Sequence, residues 1–197
     1  MSLDERRQSG LSALALGDVE FDVPLAPLTR LGIGGPADAL IRIDSIDSLE
    51  RLKRWCRRER LPLAPVPSGP ALLVKDAGMR GVVAVAGDAA EEGVLAAVAG
   101  LDPKAHGMDL SEFPSGARIF FDPEGHRAED LIREAGLAGV RLRGARVSEG
   151  EPNVVINEGE ASARDVLALV DYLKRKVEGR SGVKLKELLR VVGRDRP

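Results

Sequence analysis

The chain is short of the residues from which many active sites are built. It has one cysteine, Cys56, and two histidines, His106 and His126. One thiol cannot close an intramolecular disulfide, and so small a set of cysteines and histidines makes a metal cage built from them an unfavourable reading. Aromatic residues make up 3% of the 197 residues. The core must therefore rest on Leu, Val, Ile and Ala, and stacking platforms for bases or a flavin ring are few. The formal net charge is −2, so no overall basic field draws the chain to nucleic acid. No apolar run reaches the roughly 18 residues that span a bilayer. The start, M-S-L-D-E-R-R-Q-S-G, holds acidic residues and no apolar stretch before a small-residue cleavage site, so it does not read as a secretory signal. These absences lead to the expectation of a cytoplasmic protein that engages neither nucleic acid nor membrane.

What is present is enough for a core. Hydrophobic residues make up 44% and charged residues 30%, a balance that argues against disorder and allows one large or two small domains. Residues 1–17 read as a short amphipathic helix with Leu3, Leu11 and Leu14 inward and Gly17 as its stop. Pro24 and Pro27 favour an extended path over 18–30. A glycine turn, Leu31-Gly32-Ile33-Gly34-Gly35-Pro36, precedes a strand at 39–43. Asp47 and Glu50 suggest a capping start, with Asp47 accepting from the Glu50 amide. Leu49, Leu52, Trp55 and Cys56 then recur at helical spacing, and the helix ends before Pro62. Cys56 reads as a buried apolar residue. The other face of that helix carries Arg51, Lys53, Arg54, Arg57, Arg58 and Arg60 and reads as a solvated charged face. Leu72–Val74 and Val82–Val85 read as strands.

Residues 88–109 read as a helix and a linker, broken by Gly100, Pro103 and Gly107. Beyond it come a strand at 118–121, a turn at 122–125, a helix at 129–135 closed by Gly136, and strands at 140–142 and 154–156. Ser162 and Asp165 form a capping box that opens the clearest helix, with Val166, Leu169, Val170, Leu173 and Val177 on one face. A strand over 189–192 closes the pattern. The acidic group Asp122, Glu124, Glu129 and Asp130 suits charges at a helix N-terminus better than a metal site. The expected architecture is α+β: two small α/β units, 1–87 and 110–197, joined by 88–109.

The stretch from Phe113 to Asn157 concentrates the recognisable blocks: P-S-G-A-R-I-F-F-D-P-E-G, L-I-R-E-A-G-L-A-G-V-R, G-A-R-V-S-E and N-V-V-I-N. With V-K-L-K-E-L-L-R-V-V-G further on, they resemble the C-terminal domain of the UDP-N-acetylenolpyruvoylglucosamine reductase (MurB) family. Earlier, P-L-A-P-L-T-R-L-G-I-G-G-P-A-D-A-L and L-L-V-K-D-A-G-M-R-G-V-V resemble the start of the same family's flavin domain, so 1–87 reads as its remnant. The resemblance implies binding of FAD, hydride from NADPH and reduction of the enolpyruvyl group of a UDP-sugar. Such a reaction needs stabilisation of the charge that develops toward the substrate carboxylate, and a positioned proton donor.

Taken position by position, the resemblance removes that chemistry. The family's proton-donating serine corresponds to Arg118, and a guanidinium does not serve as a hydroxyl proton donor. Its lysine and asparagine correspond to Phe121 and Asp122, while Ser115 belongs to the preceding P-S. Its late glutamate corresponds to Leu188, with Glu187 one residue off and hence on the opposite face of a strand. Arg146 stands where the family has a neutral residue. Gly32 stands where the flavin side has arginine, and the phosphate-cradling loop becomes Pro67-Ser68-Gly69-Pro70-Ala71, in which proline has no amide to donate. Gly34 and Gly35 read as a remnant turn. Between Gly81 and Pro114 the family carries a far longer segment.

The expectation is therefore a non-catalytic relative, with no catalytic residues and no bound cofactor, that acts through a protein partner or in peptidoglycan precursor synthesis. Two alternatives stand beside it. One is a working FAD-dependent reductase, completed by another chain. The other is a UDP-sugar or anion binder built on Arg118, Arg146 and Asn153, with Arg141 and Arg143 nearby, unless Glu149 and Glu151 balance these charges. A sheet cut from its partner subdomain exposes an edge and an apolar face, so either the two units pack together or a homodimer covers the surface.

Overall fold

The computed structural model describes residues 3–65, 72–87 and 116–194, together with Ala90 and Val94. The remainder of the expected helix and linker over 88–109, the loop Pro67–Ala71, and Phe113, Pro114 and Ser115 lie outside the described residues. In chain order the elements are α1 (Glu5–Ser12), β1 (Val19–Pro24), β2 (Pro36–Ile43), α2 (Ile46–Glu59), β3 (Leu63–Pro65), β4 (Leu72–Val74), β5 (Met79–Ala86), β6 (Gly116–Arg118), α3 (Ala128–Glu134), β7 (Arg141–Leu142), β8 (Ala145–Val147), β9 (Val154–Asn157), α4 (Ala163–Ser181) and β10 (Arg190–Val192). The fold is α+β, as the sequence pattern implies.

The first unit is a mixed sheet in the order β1-β2-β5-β3. β1 runs antiparallel to β2, while β2, β5 and β3 are parallel. Alternation along β2 and β5 sends side chains to two faces. Ala39, Ile41, Ile43, Val82 and Ala84 meet Leu11 of α1 and Leu49, Leu52, Trp55 and Cys56 of α2. Leu40, Val83 and Val85 face the other way and meet Leu25, Leu72 and Val74. Both faces of the sheet are thus met mainly by side chains of the first unit itself.

The start of α2 differs from the capping read from the sequence. Its N-cap is Ser45, whose hydroxyl accepts from the Ser48 amide, and Asp47 lies in the first turn. Ser45 has the extended backbone a cap requires (φ −128°, ψ 152°), whereas Asp47 is already helical. Arg60, in the left-handed region at φ 54°, closes the helix before Pro62. α1 also ends earlier than expected, at Ser12 with Ala13 as its cap, so Gly17 is not its stop.

The second unit is an antiparallel sheet in the order β6-β9-β8-β7. Ala117, Val147 and Val155 point to a core shared with Leu131 and Ile132 of α3 and Val166, Leu169, Val170, Leu173 and Val177 of α4. Each such fully buried aliphatic contributes about 1.5–3 kcal/mol relative to exposure. The α4 capping box is present as read: the Ser162 hydroxyl accepts from the Asp165 amide and the Asp165 carboxylate accepts from the Ser162 amide. Gly182, with φ 74°, ends the helix, and Gly179 lies within it.

The two units are stitched by contacts that no local pattern reveals. β10 returns from the C-terminus and pairs in parallel with β4, Val191 opposite Leu73. Leu73 joins the core of the second unit while Leu72 and Val74 join that of the first. Asp76 accepts from the Ala163 amide at 3.0 Å, supplying a partner to the first turn of α4 from the other unit. Asn157 donates to the Leu31 carbonyl at 2.7 Å.

Candidate functional site

The residues singled out by the sequence fall in two places. In the second unit, Gly116, Ile156, Arg146 and Arg141 are register partners across β6, β9, β8 and β7. Residues in one row share a face, so Arg141 and Arg146 stand side by side on the face away from α4, and Arg118, two residues beyond Gly116, shares it. Arg143 does not join them, because it bonds Asp165 at 2.9 Å at the start of α4.

The counter-charges are not those expected. Glu158, just after β9, takes Arg146 at 2.7 Å and Arg141 at 3.4 Å. Glu149 and Glu151 take neither. Sequence reasoning missed Glu158, since its proximity to β8 follows from strand pairing. The available signal was the Asn157-Glu158-Gly159 turn at the end of a strand run.

Arg118 pairs with Asp122 at 3.2 Å. Asp122 also accepts from the Ala128 amide at 2.8 Å and so caps α3, where Arg127 offers no side-chain cap. The acidic group therefore serves the helix start, with Glu129 and Asp130 in the first turn. Among the described residues no group of three His, Cys, Asp or Glu side chains could hold a metal ion.

Phe121 is 37% exposed, and the Lys186 ammonium lies 5.7 Å from its ring centre. Residues 119–121 run antiparallel to 186–188: the Phe121 amide donates to Lys186, and the Leu188 amide to Ile119. Leu188 is half-buried. Glu187 turns to α4, where Lys174 donates to it at 2.6 Å; that hydrogen bond holds the Lys174 ammonium above its ordinary pKa. Asn153 is 2% exposed and its amide clamps Phe120, accepting from the backbone N–H at 3.0 Å and donating to the carbonyl at 2.9 Å. It positions the strand that carries Arg118 and Phe121.

In the first unit, Gly34 and Gly35 lie against the turn that follows β4. A Cβ on Gly35 would meet the Asp76 carbonyl oxygen and the Gly78 nitrogen, each at 2.4 Å. A Cβ on Gly34 would meet Val74 at 3.0 Å. The Gly35 amide donates to Lys75 and its carbonyl accepts from Leu25. The space beside these glycines is filled by the chain itself. Gly34 and Gly35 thus serve the chain's own packing, while the loop 67–71, to which the resemblance assigns the flavin pyrophosphate, lies outside the described residues. Cys56 is buried, and burial pushes its thiol up to about 11, well away from a reactive thiolate.

The arrangement is an α+β protein whose second unit has the form of a reductase C-terminal domain. Residues 109–192 match the family described as UDP-N-acetylenolpyruvoylglucosamine reductase, C-terminal domain. Over these residues the chain is a relative of that reductase (MurB) family. It is 24% identical to the UDP-N-acetylenolpyruvoylglucosamine reductase of Clostridioides difficile (strain 630), over 94% of this chain and 97% of the relative. It is 46% identical to that of Geotalea uraniireducens (strain Rf4), there over 42% of this chain and 28% of the relative. The Thermus caldophilus enzyme shares the fold, with a TM-score of 0.60 at 22% identity over 88% of this chain and 98% of the other. The match to the Clostridioides relative runs over 294 positions against a chain of 197 residues, so on the order of a hundred of its positions have no counterpart here.

Proposed function

We propose that this chain is a non-catalytic MurB-like protein that acts in peptidoglycan precursor synthesis by engaging a protein partner. The observation that carries this reading is Arg118. It stands at the position matched to the proton-donating serine, it cannot play a hydroxyl's part, and it is tied to Asp122. Leu188 at the glutamate position, the packing around Gly34 and Gly35 and the positions without counterpart all support it.

The reductase reading is favoured by one thing, the name its relatives carry. A single assay separates the two. Purified chain, supplied with FAD, NADPH and the enolpyruvyl UDP-sugar, is expected to oxidise NADPH no faster than buffer, and turnover dependent on the UDP-sugar refutes the proposal. An anion-binding role is less favoured than the first, because Glu158 already pairs with both Arg141 and Arg146.

A further inference from the structure

The charged face of α2, read from sequence as a solvated surface, is enlarged in three dimensions by α1. The two helices lie side by side in opposite senses. Arg6 of α1 bonds Glu59 at the end of α2, the Gly10 position lies against Trp55, and Arg51 donates to the Leu14 carbonyl just past α1. One surface therefore gathers Arg6, Arg51, Arg54, Arg57, Arg58 and Arg60. Arg6 and Arg58 are 79% and 71% exposed. Arg54, Arg57 and Arg60 are exposed and form no ion pair among the described residues. Two of the acids nearby are already engaged: Glu50 with Lys53, and Glu59, 16% exposed, between Arg6 and Arg58.

The helix dipole accounts for Arg57 and Arg58 in the last turn. It does not account for Arg51 and Arg54 in the middle of the helix or for Arg6 on its neighbour. We propose that this surface binds an acidic protein segment, its carboxylates spaced to meet Arg51, Arg54, Arg57 and Arg58. Those positions span about 10 Å, two turns, over which an acidic helix repeats side chains three and four apart. Arginine suits carboxylates through paired N–H donors.

A nucleic acid fits less well, because the patch contains no exposed aromatic on which bases could stack. A lipid surface fits less well too, because the exposed large aliphatic of α2, Ile46, sits at the opposite end of the helix. The surface is separate from the row of Arg118, Arg141 and Arg146, and the proposal holds whether or not the chain is catalytic.

The test is fluorescence anisotropy on the full chain. Its probe is a labelled, end-blocked peptide with glutamates three and four apart, set beside a single-stranded DNA of equal charge and vesicles of phosphatidylserine and phosphatidylcholine. The peptide is expected to bind most tightly. Replacing Arg54→Glu and Arg57→Glu together should weaken it at least about tenfold, while Arg175→Glu with Arg180→Glu on α4 leaves it unchanged. If the charge-reversed variant loses its circular dichroism, Arg54→Gln with Arg57→Gln replaces it and should give a smaller loss in the same direction. Absence of peptide binding, equal losses in the α4 control, or tighter binding of the DNA or the vesicles overturns the proposal.

Discussion

The two units hold the residues that the resemblance singles out in different ways. In the first, the space beside Gly34 and Gly35 is taken by backbone, the turn over 75–78 that follows β4. In the second, arginines on the outer face of the sheet are held by carboxylates, Arg118 by Asp122 and Arg141 and Arg146 by Glu158. Backbone packing of this kind is part of the fold and cannot be undone without unfolding something. An ion-paired site is closed only by side chains on a partly exposed face, where each pair contributes about 0–1 kcal/mol. The packing at Gly34 and Gly35 is thus harder to undo than the ion pairs on the second unit's sheet.

The largest expected effect tests the backbone-filled side. Gly35→Ala drives a Cβ into two backbone atoms at 2.4 Å and should cost ~3 kcal/mol or more in urea unfolding. If it is tolerated within ~0.5 kcal/mol, the glycine is not packed as described. Next, Asn153→Ala strips the clamp from a buried backbone N–H and carbonyl at Phe120 and should cost ~2–4 kcal/mol. Asp76→Ala removes the cap that one unit lends the other. A cost of ~1 kcal/mol is expected, with faster amide exchange in the first turn of α4.

Smaller in stability but sharper for the comparison is Glu158→Gln. It frees Arg146 and Arg141 at a cost within ~0.5 kcal/mol, and calorimetry should then register a UDP-sugar or sulfate more strongly than with the parent chain. No gain means that Glu158 is not what closes this face. Last is a pH effect at Asp165. The Ser162 hydroxyl first, then the Ser162 amide and Arg143, hold its carboxyl below the usual range. A lowered folded pKa means the stabilisation is fully present above the unfolded value near 3.8 and is lost as pH falls through the folded one. Asp165→Asn should therefore narrow the stability difference between pH 5 and pH 3 (about a pH unit either side of that range) while leaving the alkaline side unchanged.

Much of this molecule was legible from sequence because much of it is local. Ser162 and Asp165 announce α4, and its apolar residues recur at helical spacing. Gly136 ends α3 with φ 71°, as a glycine after a helix should. The failures are equally physical. β3 and β8 are three residues each, too short for alternation to register, and β3 follows Pro62 and ends on Pro65. Ser45 and Asp47 are both competent caps, and only backbone geometry chose between them. The pairing of β10 with β4 joins residues far apart in the chain, and with it went the chance to see Asp76 or Asn157 as links between units. At the candidate site, Arg118, Phe121, Asp122 and Leu188 were readable as replacements, but Glu158 and the inward turn of Asn153 depend on strand register.

The most direct test of the central claim is a FAD titration of the purified chain followed by flavin fluorescence and absorbance. The account predicts colourless protein as isolated and no saturable quenching or spectral shift on adding FAD. Stoichiometric binding that gives a yellow protein would contradict it.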